Sequence, residues 1–285
     1  MPAVSDTSLQ PILAVLAYPA AANPTQFMME RAIAHHQLDC RFLTLEITPE
    51  DLGDAVRGMR AMGFAGGVCA EPHKTTVLPH LSRTTQVATL AGAVNCIYRE
   101  GDDLVGANTE GQGMVDVLRR VIDPAGKRVV VLGAGKAGRA IAVELALAKV
   151  AELVIVDRTE TAAAELVAVL AGKLGVPATP VAWQGHYAIP PQSDLLVNAT
   201  SLGRENPQAR VPLDLKSLRS EMVVADVTFN PPRTELLREA KEAGCLTVDG
   251  LEMFVRQAAL ALQQWTGIEP EATVMRDAVE EFLLL

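Results

Sequence analysis

Along the first hundred positions, short apolar runs alternate with stretches whose apolar residues fall at helical spacing. PILAVLAY, RFLTLEI and FAGGVCA read as strands, while FMMERAIAHH and DLGDAVRGMRAMG read as amphipathic helices between them. The proline-bearing EPHKTTVLPHL reads as a loop. This alternation predicts an α/β domain with a mostly parallel sheet. A second α/β series begins near the glycine-bearing NTEGQGM and runs through VVVLGAG, LVIVD, TPVAW, SDLLVNAT and MVVADVT. After CLTVDG come two helices, EMFVRQAALALQQWTG and EATVMRDAVEEFLLL, which the second sheet does not need. They are expected to pack back on the first domain, with Phe254, Ala258 and Leu262 on one buried face. The predicted division is residues 1–106 plus 250–285 for the first domain and 107–249 for the second.

Residues 129–158 are the most specific stretch. VVVL is a β-branched run, Gly133, Gly135 and Gly138 form G-x-G-x-x-G, IAVELALA has helical periodicity, and ELVIVD supplies a second strand ending at Asp157. That order describes a Rossmann-type dinucleotide-binding unit. Gly133 permits the tight turn, Gly135 lets backbone N–H groups approach a pyrophosphate, and Gly138 lets the helix pack against the strand. An acid at the place of Asp157 commonly accepts from the adenine ribose hydroxyls. The motif alone would be a flexible turn; its strand, helix and acid make it a cofactor site, with Ala134, Lys136 and Ala137 filling the loop.

At 285 residues the chain is long enough for two domains, each with its own core. Apolar residues at 49% and charged residues at 21% fit a folded globular protein rather than a disordered one. The formal net charge of −9 argues against a nucleic-acid or anionic-membrane partner. MPAVSDTSLQ carries no basic region before an apolar stretch, and no apolar run reaches membrane-spanning length, so a cytoplasmic location is expected. Cys40, Cys69, Cys96 and Cys245 are scattered and read as buried thiols, not as a metal site or disulfide framework. His35 and His36 are adjacent in a helix, so they point to different faces and form no metal clamp. No metal is expected.

Lys74, in EPHK after a strand-like run, would by itself be surface decoration. Segments further along the chain give it weight. GAVNC (92–96), GANTEGQG (106–113), the glycine loop, NATSLG (198–203), DVTFNPPRTELL (226–237) and DGLEMFVRQAALALQQWTG (249–267) stand in one order. Together they resemble the shikimate/quinate dehydrogenase family, whose pattern contains G-A-x-N-T, G-x-N-T-D, G-A-G-G-A, N-A-T-S-x-G, Y-N-P-x-x-T-P-L-L and G-x-x-M-L-x-x-Q-A. The resemblance implies a first domain that binds a polyhydroxylated ring carboxylate and a second that binds NADP or NAD. It implies hydride transfer between the nicotinamide and a ring carbinol carbon, with a lysine and a carboxylate handling the proton.

By the family's P-x-K, Lys74 takes the proton-transfer role, and Glu110 stands where the family has aspartate, one methylene longer. Asn95 and Gln257 match amides that bond ring hydroxyls. Thr200, Ser201, Val227 and Gly250 complete the implied cofactor site. Other positions depart. Relatives carry G-x-P-x-x-H-S-x-S-P, whose serines hold the substrate carboxylate; this chain reads AYPAAANPTQF, with Asn23 and Thr25 the nearby polar candidates. Val68 and Ala70 replace an asparagine and a threonine, and Phe229 replaces the tyrosine of Y-N-P. A site built around hydroxyl donors discriminates strongly through them, so these losses bear on the substrate.

Cofactor choice stays open between NADP and NAD. Relatives using NADP tend to have N-R-T; here Asp157 would accept from a free 2′-hydroxyl, while Arg158 could pair with a 2′-phosphate. Lys136 adds positive charge beside the pyrophosphate or is simply solvated. The expectation is an NAD(P)-dependent oxidoreductase interconverting 3-dehydroshikimate and shikimate or a closely related cyclic hydroxy acid. The alternatives are a quinate or aminoshikimate dehydrogenase-like paralogue, or a non-catalytic ligand sensor. The expected partners are the ring hydroxy acid and the nicotinamide dinucleotide, in a monomer or homodimer. A folate-linked dehydrogenase also pairs two domains with an active-site lysine, but NATSLG and VRQAALALQQWTG fit it less well.

Overall fold

The computed structural model describes residues 9–204 and 206–285. The chain forms two compact units. The first holds residues through Thr85, then Val94–Ala107 and Ala258–Leu284; the second holds Gln86–Ala93 and Asn108–Gln257.

In unit 1, β1 (Ile12–Ala17), α1 (Thr25–His35), β2 (Arg41–Glu46), α2 (Leu52–Ala61), β3 (Gly66–Cys69), α3 (His73–Thr76) and β4 (Arg83–Thr84) follow in order. Helix α4 (Gln86–Ala91) belongs to unit 2, and the chain then returns to unit 1 for β5 (Cys96–Glu100) and β6 (Asp103–Ala107). The sheet order is β2-β1-β3-β5-β6-β4, with β5 antiparallel to both neighbours and the remaining pairs parallel. Leu13, Leu16, Met28, Met29, Phe42, Val56 and Met59 are buried, each worth ~1.5–3 kcal/mol relative to exposure.

The hairpin β5–β6, to which the sequence pattern assigns no element, turns at Gly101, which takes a left-handed φ of 60° that glycine tolerates. One local reading changes: EPHKTTVLPHL is not a plain loop. Pro72 opens α3 and Pro79 sits at the start of a 3-10 turn at Leu78–His80, positions where a missing N–H costs nothing.

Unit 2 contains α5 (Glu110–Leu118), β7 (Arg128–Leu132), α6 (Lys136–Leu147), β8 (Glu152–Asp157), α7 (Glu160–Leu174), β9 (Ala178–Ala182), β10 (Leu195–Asn198), β11 (Val223–Asp226), α8 (Glu235–Glu242) and β12 (Leu246–Val248). Its sheet is wholly parallel in the order β12-β11-β10-β7-β8-β9, the doubly wound arrangement. Val129 and Val131 pack into one core with Ile141 and Leu166, and Val130 and Leu132 into another with Leu196 and Leu236. A strand buried on both faces cannot alternate, which explains the unbroken VVVL.

Helix α9 (Gly250–Thr266) and α10 (Ala272–Leu283) end the chain. α10 packs on α1 in unit 1, where Arg31 donates to both oxygens of Glu281 at 3.0 and 2.9 Å. Trp265, at the end of α9, donates from Nε1 to Ile97 O at 2.8 Å. The first half of α9 does not pack as expected: Met253 enters the unit 2 core, and the ring of Phe254 stacks on Phe229 at 4.4 Å within unit 2. Ala258 and Leu262 are buried in unit 1. Among the described residues, no helix is long and apolar enough to cross a membrane.

Candidate active site

In unit 1 the chemistry-bearing residues gather where the parallel strands end. Register places Ala17 beside Glu46 and Leu16 beside Cys69, so the carboxyl ends of β1, β2 and β3 share one edge. Loops at that edge are where open α/β sheets bind ligands. Lys74 lies there in α3, and its carbonyl accepts from Val94 N at 2.8 Å. Asn95 is buried next to Val94: its N–H donates to Ala107 O at 3.1 Å and its carbonyl accepts from Cys69 N at 2.9 Å. Thus the structure brings Lys74 and Asn95 to one edge through backbone bonds on both sides.

The β1–α1 loop closes the same edge. Asn23 Oδ1 accepts from Thr25 N at 2.9 Å, and Thr25 is buried at the helix start. Ala20 N donates to Glu46 Oε2 at 2.8 Å, a tie between residues far apart in sequence that no motif announces.

His73 anchors the helix that carries Lys74. Its Nε2 bonds to Ile47 O at 2.8 Å; because a carbonyl only accepts, that nitrogen carries the proton, and the buried Nδ1 has no hydrogen-bond partner among the described residues. Burial lowers its pKa, against the opposing pull of that bond and of Glu71. Nearby, burial pushes the Cys69 thiol up to about 12, with the charge of Lys74 only partly offsetting it. All four cysteines are buried free thiols, in keeping with their scatter along the chain.

In unit 2, Glu110 is a buried first-turn residue of α5, its N–H held by Asn108 Oδ1 at 3.0 Å. Asn108 in turn donates from Nδ2 to Ala93 O at 3.1 Å, and Thr109 Oγ1 donates to Gln257 O at 3.0 Å. Glu110 and Gln257 are therefore placed by neighbouring helices that approach closely over Gly113, where an added Cβ would stand 3.0 Å from Gln257 N. Asn108 and Thr109 stand inside the GANTEGQG match, but the match gives them no role of their own. Their signal in the sequence is the N-T step before the acid, the Asx arrangement that starts a helix.

The residues expected to hold a cofactor gather where β7, β8, β10 and β11 end. Gly133 has a φ of 96°, and an added Cβ at Gly138 would run into the Gly133 carbonyl. Gly135 caps α6 without a side-chain acceptor, and a Cβ there would meet nothing within 4 Å. An open approach to an uncapped start of a 12-residue helix fits a pyrophosphate, whose charge the first-turn N–H groups and the helix dipole favour. Ala134, Lys136 and Ala137 line this turn, and Thr200 stands against Gly133 from the neighbouring strand end. This is the crevice between β7 and β10, the switch point of the doubly wound sheet.

Asp157 is placed unlike a residue that reaches only for ribose. Its Oδ2 accepts from Ala134 N and its Oδ1 from Thr159 N, each at 2.7 Å. Arg158 beside it is exposed. Thr200 Oγ1 donates to Asn198 Oδ1 at 2.7 Å, holding NATSLG, while Ser201 is exposed. Asn198 also donates to the fully buried Asp226 Oδ2 at 3.0 Å, which accepts from Thr234 Oγ1 at 2.9 Å as well. Burial raises the Asp226 pKa, and its hydrogen bonds from Asn198, Thr228 and Thr234 oppose the rise. Val227 N–H donates to Asn198 O at 3.0 Å, and Gly250 packs so tightly on the Thr228 backbone that no Cβ fits.

Known proteins are similar to this chain over nearly its whole length. Residues 15–97 match the family described as shikimate dehydrogenase substrate binding domain, residues 117–253 that of shikimate/quinate 5-dehydrogenase, and residues 250–280 the shikimate 5′-dehydrogenase C-terminal domain. A shikimate dehydrogenase (NADP(+)) of Geobacter metallireducens is 38% identical over 94% of this chain and 95% of its own. The ligand-free crystal structure of 5-ketofructose reductase of Gluconobacter sp. strain CHM43 superposes with a TM-score of 0.93 at 41% identity, covering 96% of this chain and 99% of that one. Shikimate 5-dehydrogenase from Listeria monocytogenes, in complex with shikimate and NAD, gives 0.88 at 29% identity, with 96% and 97% covered. The chain belongs to the shikimate/quinate dehydrogenase family of NAD(P)-dependent oxidoreductases that act on a CH–OH group.

Proposed function

We propose that the chain reversibly reduces a ketone on a polyhydroxylated substrate held at the carboxyl edge of the unit 1 sheet. A reduced nicotinamide dinucleotide bound at the Gly133–Gly138 turn would supply the hydride for the carbonyl carbon, and the Lys74 ammonium gives the carbonyl oxygen its proton. Glu110 supplies the carboxylate of the proton-transfer pair, and the amides of Asn95 and Gln257 bond substrate hydroxyls. The observation that carries this reading is the edge position of Lys74, fixed by His73 below and Val94 beside it. The first substrate pair to test is 3-dehydroshikimate and shikimate or a closely related cyclic hydroxy acid, as the relatives' names indicate.

For the cofactor we propose NADP. Both oxygens of Asp157 already accept backbone N–H groups, which supports a role in holding the glycine turn and leaves the exposed Arg158 to meet a 2′-phosphate. Absorbance of reduced nicotinamide, followed with shikimate or quinate and with NAD or NADP separately, tests both points. No reduction in any of the four would reject the ring-acid reading, and reduction of NAD alone would reject the cofactor assignment.

A second substrate reading rests on two observations. The β1–α1 loop has lost the serines that hold a carboxylate, and 5-ketofructose reductase, whose named substrate is a ketose, is 41% identical. A ketose offered with NADPH would separate this reading from the first.

A further inference from the structure

We infer that the unit 1 site selects an uncharged polyhydroxylated carbonyl compound over its carboxylated counterpart, with Glu46 and the β1–α1 loop as the specificity determinants. This deepens the ketone-reduction reading and rests on it for the place of the substrate. The loop offers three consecutive alanines, Ala20, Ala21 and Ala22, of which the last two are exposed. A methyl group cannot donate to a carboxylate. The next polar side chains serve the helix start, Asn23 Oδ1 through Thr25 N and Thr25 by burial.

The charge at this edge has the wrong sign for an anion. Glu46 Oε2 accepts the Ala20 N–H at 2.8 Å, so an acid fixes a negative charge against the loop. The segments that leave β2 and β3 add Glu50, Asp51 and Glu71, against the one lysine, Lys74. His73 is buried, and its burial favours the neutral ring. A substrate carboxylate would lose its water shell there for no hydroxyl and against a like charge, whereas hydroxyl groups find the carboxylate and the Asn95 amide as acceptors.

The test isolates the charge by comparing shikimate with its methyl ester, which keeps the ring and hydroxyls. Oxidation rates with NADP are measured for wild type, Glu46→Gln and the double variant Ala21→Ser with Asn23→Ser. Gln keeps an acceptor for Ala20 N without the charge, and the serines restore two hydroxyls. The same ligands are titrated calorimetrically with oxidised cofactor present, so that a chain without turnover fails the reaction reading while the affinity ratio still decides this one. Wild type is expected to favour the ester by about fivefold or more, and each variant to shift the ratio toward the acid by a similar factor. Preference of wild type for the acid, an unchanged ratio in both variants, or failure of the ester to bind would overturn the proposal.

Discussion

The carboxylate of Asp157 and the backbone N–H of Ala134 meet at 2.7 Å, joining the end of β8 to the glycine turn after β7. The acid thus shapes the glycine turn itself. Asp157→Ala should weaken NAD and NADP alike, because it loosens that turn. Arg158→Ala should instead raise KM for NADP alone by about 10–100-fold, the loss expected for one charge-assisted phosphate contact of ~1.5–3 kcal/mol. Steady-state kinetics with both cofactors decides this, and equal loss for NAD would remove Arg158 from phosphate recognition.

Lys74→Met should lower kcat by about 10²–10⁴-fold, the usual range for a lost proton-transfer group, while cofactor affinity in a fluorescence titration stays within about twofold. Retained turnover would end the assignment. Glu110→Gln should lower kcat with little change in KM, since it keeps the buried volume and removes the charge.

Gly138→Ala should cost stability and cofactor affinity together, because the new methyl meets the Gly133 carbonyl, backbone that cannot swing aside. Overpacking of this kind costs ~1–3 kcal/mol. Urea unfolding and a dinucleotide titration read the two losses; unchanged affinity for both cofactors would mean that the turn does not hold them.

His73 gives a pH signature. Its pKa is lowered in the folded chain, so its contribution to stability is present above its ordinary value of ~6.5 and is lost as pH falls through the depressed value. His73→Leu loses the bond to Ile47 O and should cost about 1 kcal/mol at pH 8, with the gap to wild type narrowing toward pH 5. Urea midpoints across that range test it, and a gap that widens on acidification would contradict the sign.

The βαβ unit is legible in the sequence because its signals are local: a β-branched run, glycines at fixed offsets and an acid closing the next strand all act within thirty residues or so of chain. The pairing of β5 with β6 is harder to read, since five-residue strands carry little periodicity and only Gly101 marks their turn. Motif order points to Lys74, Asn95, Glu110 and Gln257, but not to what holds them. Glu46 reaching Ala20 and Thr109 reaching Gln257 are bonds between distant positions, set by sheet register and helix packing that no spacing encodes. Asp157 shows the remaining gap: the motif identifies the residue, yet whether its carboxylate faces ribose or turn depends on a rotamer.

Helix α9 begins among unit 2 residues and ends in unit 1, and this fixes an order of events during synthesis. Unit 2 has all its strands once the ribosome has passed Val248, and its core closes with Met253. Unit 1 begins first but must wait for Trp265 to reach Ile97 and for α10 to cover α1. At about 5–20 residues per second, its opening strands and helices stand without that cover for roughly ten seconds or more. The half that starts first finishes last.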